Sequence, residues 1–181
     1  MKDVNLDEFH WLLEIVQSMD VGIIVIDRDY RVEVWNGFIE HHSGHKPSEV
    51  TGQSLFALFP EIDRDWFVRK VESVALLGMP AFTIWEQRPY LLRFNGYQPL
   101  TGREPYMYQN TTFLPLTDSH GVVAHIALII YDVTRVAVNS QQLRQANGEL
   151  QRLSRTDRLT GLLNRGYWEE CLAIEIGRAH V

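Results

Sequence analysis

The chain has 181 residues, 45% of them hydrophobic, which suffices for one substantial core plus appendages and leaves two complete domains cramped. Its net charge of −6, from 23 acidic and 17 basic residues, is not gathered into blocks, so no basic surface for nucleic acid or anionic lipid is presented. A single cysteine, Cys171, excludes an internal disulfide and, with no export-type leader in view, fits a reducing cytoplasm. The longest apolar run, 122–131, is interrupted by His125 and is too short to span a bilayer, so it reads as a buried strand.

In chain order, Leu6, Phe9, Leu12, Leu13 and Val16 recur at helical spacing and predict an amphipathic helix within residues 1–20. Residues 22–27 are apolar and β-branched, Arg28-Asp29-Tyr30 is turn-like, and 31–35 alternate polar with apolar, which together predict a hairpin. The polar stretch 36–52, rich in Gly, Ser and Pro, predicts short helices and turns; 54–59 adds a short apolar piece, and a longer helix is expected over 62–77. Strand character returns at 81–85, 106–116 and 121–132, around an insert at 86–105. Two strands, several helices and then three strands make an α+β order.

From residue 136 the apolar stripe Val136, Asn139, Leu143, Ala146, Leu150 and Leu153 steps by three and four, the spacing of a coiled-coil seam. Ser140, Gln141, Gln142, Arg144, Gln145, Glu149, Gln151 and Arg152 between them make a wet face, so the stripe calls for a second helix, and a homodimer through this linker (135–153) is the simplest source. Asn139 would then meet its own copy and fix the register. An amphipathic helix folded back on its own domain is the other reading of the same periodicity.

The element order resembles that of PAS sensor domains over most of residues 8–134, placing the PAS domain at 21–134. Trp35-Asn36 resembles the W-N that often ends the second PAS strand; Gly44, Glu49, Val50 and Gly52 match the G-x-x-x-x-E-hydrophobic-x-G pattern that follows; Asp132-Val133-Thr134 resembles the D-I-T that closes the last strand. The resemblance implies a five-stranded antiparallel sheet with flanking helices, and a small-molecule ligand, unidentified or absent, between them. Asp132 and Thr134 would relay the sensor's state, Thr134 by capping the following helix. Trp35, Asn36, Phe56, Trp66, Phe82, Ile84, Arg93 and Tyr97 are the candidate ligand contacts, with Phe67, Trp85, Leu92 and Phe94 near them, although ordinary packing is the commoner use of such aromatics. Arg88, Arg93 and Arg103 offer anion clamps, against the usual solubilising role of exposed arginines. His45 stands where an aromatic is usual, and the insert is richer than a plain hairpin, so the shape of the pocket departs from the pattern.

No metal site is expected. His41, His42 and His45 lie close in sequence but lack a cysteine and match no ligand spacing, and His10, His120 and His125 are scattered. Haem-binding PAS domains commonly use a histidine on the long helix and light-sensing flavin ones a cysteine there; residues 62–77 contain neither.

Beyond the seam, Asp157, Leu159, Thr160, Gly161, Leu162, Asn164 and Arg165 match the D-x-L-T-G-L-x-N-R signature that opens the GGDEF domain of diguanylate cyclases. Gly161 allows a turn that a Cβ resists, Leu159 and Leu162 can bury beneath it, and Asn164 suits the cap of a following helix. The resemblance implies that 154–174 begins a truncated GGDEF domain whose intact parent would join two GTP molecules into cyclic di-GMP with magnesium. The family's guanine, metal and G-G-D/E-E-F positions lie beyond this stretch, so no catalytic residue is assigned here. Two rivals remain: a parent that degrades cyclic di-GMP through a further hydrolase domain, and a ligand-free PAS module that only clamps partners. The closing residues 175–181 resemble the translation of a sequencing adapter and are set aside.

Overall fold

Alternating burial along a β-branched strand sets the first element. In β1 (Gly22–Ile26), Ile24 and Ile26 are buried while Ile23 and Val25 are only half-buried, the period of two that separates the faces of a sheet. The computed structural model describes residues 6–94, 106–155, 162 and 164–179, and the side chains of all of these except 6–9, 152–155, 170, 177 and 179. Its sheet has five antiparallel strands in the order β2-β1-β5-β4-β3, adding β2 (Val32–Trp35), β3 (Ala81–Thr83), β4 (Gln109–Thr117) and β5 (Val123–Asp132).

Register fixes the inner face. Ile24 lies opposite Leu128 and Ile26 opposite Ile126, while Phe113 pairs with Leu128 and Thr111 with Ile130. Helices α1 (Leu6–Ser18), α2 (Gly37–Ser43), α3 (Pro47–Val50), α4 (Leu55–Leu58) and α5 (Arg64–Leu77) come before β3, apart from the hairpin β1–β2. From α5, Phe67, Val71 and Val74 fall on one stripe and join the sheet's core cluster, each such side chain contributing roughly 1.5–3 kcal/mol on burial. Asp63 caps α5, accepting the Trp66 N–H, and Gly78 closes it in the left-handed region.

The β1–β2 turn has a distinctive backbone. Asp27 Oδ1 accepts the N–H groups of Asp29 and Arg31, and Tyr30 adopts φ 62, a conformation that costs a residue with a Cβ about 1–2 kcal/mol. The ring it places packs on Phe56 and Phe67, with centroids at 5.2 and 6.2 Å, which offsets that strain. Gly44 and Gly52, the two glycines of the matched pattern, both have positive φ, at 77 and 80.

The expected elements appear with shifted ends. The strand expected over 81–85 stops at Thr83, because the Ile84 carbonyl accepts the N–H groups of Gln87 and Arg88 and turns the chain away. The linker helix expected over 135–153 runs from Thr134 to Arg155.

Residues Met1–Thr134 and Arg135–Val181 form two units. The second carries α6 (Thr134–Arg155) from its second residue onward, and α7 (Arg165–Ala179). Along α6 the seam positions Val136, Asn139, Leu143, Ala146 and Leu150 are all exposed; the side chain of Leu153 lies outside the described residues. Asn164 caps α7, its Oδ1 accepting the Tyr167 N–H at 2.9 Å, and Arg165 pairs with Glu169 one turn on. Leu162 is exposed, while Asp157, Leu159, Thr160 and Gly161 lie outside the described residues. Helix α7 runs on past residue 175 to Ala179.

Candidate functional site

Two places merit a functional reading: the interior between the sheet and α5, and the junction where β5 hands over to α6. The first redistributes the residues expected to touch a ligand. Asn36 is fully buried, and its amide is spent on the fold. Oδ1 accepts the Ile23 N–H at 2.9 Å and caps α2 through Ile39 N–H, while Nδ2 donates to the carbonyls of Val16 and Val21. With both donors and two acceptor positions filled it is an internal brace, which corrects its assignment to the ligand.

Trp35 is likewise structural. Its Nε1–H donates to the His45 carbonyl at 3.0 Å and its ring stacks on Phe59 at 6.0 Å. Phe82 and Ile84 are corrected for a different reason. The register of β3 on β4 turns Thr83 inward opposite Thr111, so Phe82 falls on the outer face, 65% exposed, and Ile84 beyond the strand is also exposed. Phe56 and Trp66 are half-buried and pack against the core, Phe56 on Phe67 and Trp66 edge-on to Phe113. Arg93 is exposed, its guanidinium 5.7 Å from the Tyr106 ring centroid and 6.0 Å from that of Tyr90. Tyr97 and Arg103 lie outside the described residues.

The insert is laced to the sheet by a residue that the sequence reading passed over. Gln109, buried at the start of β4, accepts the N–H groups of Leu91 and Leu92 on Oε1 and donates from Nε2 to the Leu92 carbonyl at 2.7 Å, while its own N–H reaches the Pro89 carbonyl. A second tie holds the insert to α5. Arg88 lies over the Trp66 ring at 4.1 Å and pairs with Asp63 at 3.1 Å. The Trp66 N–H above all holds the Asp63 carboxyl below its ordinary value; desolvation opposes it, and Arg88 adds to the lowering. The signal for Gln109 was available in the strand period: 109, 111 and 113 share a face, and Phe113 marks that face as inner.

At the junction, Asp132 Oδ1 accepts the Thr134 N–H at 2.8 Å, and the Val133 N–H reaches the Tyr108 carbonyl at 2.9 Å. The Thr134 hydroxyl accepts the Tyr108 N–H at 3.0 Å. That corrects the expected cap: the oxygen serves the lead-in to β4 rather than an N–H of its own helix. The first residue of α6 is therefore fastened to the last residue of β5 and to Tyr108, just ahead of β4.

The histidines are spread among structural contacts. His42 packs on Phe38 with centroids at 4.1 Å and its Nδ1 is 2.8 Å from the Phe38 carbonyl, while His125 pairs with Glu33 at 2.9 Å. Among the described residues no group of three or more His, Cys, Asp or Glu is arranged to hold a metal ion, and no helix is long and apolar enough to cross a membrane.

The five-stranded antiparallel sheet with flanking helices agrees with comparisons to known proteins. The PAS fold family's sequence profile matches residues 16–138, and the chain belongs to that family. It contains a PAS sensory domain, as found in signalling proteins such as sensor histidine kinases. A sensory box sensor histidine kinase from Vibrio cholerae is similar, with 26% identity, a TM-score of 0.51, and coverage of 71% of this chain and 93% of that one. The PAS domain of a Colwellia psychrerythraea protein shares the fold at 14% identity and a TM-score of 0.53, covering 70% and 98%. So does the PAS domain of Bordetella pertussis BvgS, at 18% identity and a TM-score of 0.50, covering 79% and 98%. No curated protein gives a significant match.

Proposed function

We propose that this chain is the sensory and dimerising region of a PAS-GGDEF signalling protein whose intact parent makes cyclic di-GMP from two GTP. The observation that carries the proposal is α6: its stripe Val136, Asn139, Leu143, Ala146 and Leu150 is exposed throughout, and the chain then runs into the D-x-L-T-G-L-x-N-R signature. A stripe of that spacing is stable in water when a second copy covers it. Joining two GTP molecules requires two loaded halves to meet, so a paired stalk fastened to the sheet at Thr134 supplies both the pairing and a route for control. GTP and magnesium belong to the parent's missing residues; this chain contributes the sensor and the stalk, in a cytoplasmic setting.

Sedimentation tests the stalk. The wild type is expected to sediment as a dimer and Leu143→Lys/Leu150→Lys as a monomer, because the substitutions place like charges in a desolvated seam. A monomeric wild type at high micromolar concentration, or a dimeric double variant, sinks it. Cyclic di-GMP production by a full-length parent tests the output, and hydrolysis in place of synthesis would favour the phosphodiesterase reading. One observation favours the ligand-free reading of the PAS unit: Phe67, Phe94 and Phe113, all fully buried, occupy the interior where a ligand would lie.

A further inference from the structure

The insert between β3 and β4 holds two arginines against aromatic rings, and they differ in what neutralises them. Arg88 lies over Trp66 and pairs with Asp63. Arg93 is exposed, lies 6.0 and 5.7 Å from the ring centroids of Tyr90 and Tyr106, and has no carboxylate on its guanidinium among the described residues. Glu61 faces the Arg93 backbone N–H instead, at 3.4 Å. The two tyrosine rings meet edge-on at 5.4 Å, so the guanidinium is restrained by rings that are themselves packed. The backbone beneath is tied down as well. Gln109 holds Leu91 and Leu92 through its amide and Pro89 through its own N–H, and the Met107 N–H donates to the Phe94 carbonyl. Between Met107 and Gln109 stands Tyr108, whose N–H donates to the Thr134 hydroxyl. The segment that carries Arg93 is therefore bonded to the residues on either side of the one that moors α6.

Arginine and tyrosine are the residue types that dominate binding at protein interfaces, and a guanidinium fork matches a carboxylate. We propose that Tyr90, Arg93 and Tyr106 form a docking surface for an acidic, extended segment of a partner protein, with a carboxylate on Arg93 and apolar neighbours on the two rings. One unpaired cation suits one carboxylate, whereas a phosphate dianion would also face Glu61. Docking there bears on the Tyr108–Thr134 tie through Met107 and Gln109. The inference rests on the sensor reading of the PAS unit and gives it an input from outside, in keeping with an interior occupied by Phe67, Phe94 and Phe113. It does not depend on the stalk.

Blocked peptides alternating glutamate with proline, or glutamine with proline, and free acetate are the probes, and NMR of the full chain is the measurement. Proline keeps the peptides extended and offers the rings an apolar surface. The glutamate peptide is expected to shift the side-chain signals of Tyr90, Arg93 and Tyr106 along a saturable curve, and the Tyr108 backbone N–H with them. The glutamine peptide, and acetate at the same carboxylate concentration, should leave those signals in place. Arg93→Gln should weaken binding of the glutamate peptide about fivefold without moving the unfolding midpoint, and Arg93→Lys, which keeps the charge but not the fork, should fall between. Arg69→Gln, removing an equal charge from the exposed side of α5, should bind as the wild type does. The proposal is overturned if the glutamate peptide gives no saturable shift, if the glutamine peptide or acetate reproduces it, if Arg93→Gln binds unchanged, or if the Tyr108 N–H stays put when the peptide binds. A full-length parent whose cyclic di-GMP output ignores a peptide bound at Arg93 would count against the sensor reading and leave the docking surface standing.

Discussion

Helices α5 and α6 both repeat apolar side chains every three or four residues, yet Phe67, Val71 and Val74 are at most 2% exposed whereas Val136, Leu143 and Leu150 stand more than 60% exposed. Their beginnings differ too. The start of α5 is closed by its own cap, with Asp63 accepting the Trp66 N–H, while α6 is moored at Thr134 to the lead-in of another strand. Periodicity reveals that a helix has an apolar face but not what covers it. In α5 the cover is the helix's own sheet. In α6, on the function proposed here, it is a second chain, so the two helices should respond to damage in different observables.

The largest expected effect is in the core. Phe67→Ala should lower unfolding free energy by about 3–5 kcal/mol, measured by urea denaturation, since the ring touches Tyr30, Phe56 and Phe113 and leaves a cavity among them. Leu143→Ala, equally apolar and equally periodic, should change the stability of the PAS unit by less than about 0.5 kcal/mol and act on dimer affinity instead. Similar stability losses from both would erase the distinction. Next comes Asn36→Ala, which strips a helix cap and leaves the Ile23 N–H and two carbonyls unpaired; roughly 2–4 kcal/mol should be lost. A loss below about 1 kcal/mol would mean that water replaces the brace and that the side chain has capacity to spare for a ligand after all.

Much of this was legible from residue types. The strand order, the long helix, the α6 stripe and the Asn164 cap follow from periods of 2 and 3.6 and from cap chemistry, because each is a local consequence of a few neighbouring side chains. The candidate site was legible only in outline. Phe82 and Ile84 are candidate ligand contacts on residue type, but a strand of three residues at the edge of a sheet takes its facing from register with its neighbour, and that register turns Thr83 in. Asn36 looked available because its partners other than the Ile39 cap lie 13 to 20 residues away, beyond any local pattern. Thr134 was read as a cap for the same reason: its true partner, Tyr108, is 26 residues back.

That mooring predicts a smaller effect. Thr134→Ala leaves the part-buried Tyr108 N–H without its acceptor and should cost about 1–2 kcal/mol, while Thr134→Ser, retaining the oxygen, should cost a few tenths. In a full-length parent the Ala variant should also alter basal cyclic di-GMP production, because the start of α6 is loosened from β4 while the seam is intact. Normal folding with unchanged output would reduce Thr134 to a structural tie at the start of α6.

The smallest effect lies at the matching position of α5. Asp63 is exposed, and its carboxyl is held below the ordinary value of 3.8 first by the Trp66 N–H and then by Arg88. Because the folded value is the lower one, the associated stability is fully present above pH 3.8 and drains away as the pH falls through that lowered value. Asn is as good a cap as Asp, so Asp63→Asn should leave stability near neutral pH almost unchanged and flatten the acid limb of the stability curve below pH 3.8. Arg88→Ala should flatten it less, since the larger cause is the backbone N–H, and should also free the insert from the Trp66 ring that Arg88 covers. Urea midpoints measured from pH 2 to pH 6 separate these outcomes, those limits being set at about two units either side of an ordinary carboxylate. An acid limb identical in wild type and Asp63→Asn would show that the cap of α5 is not coupled to folding, and the contrast with the moored start of α6 would then rest on Thr134 alone.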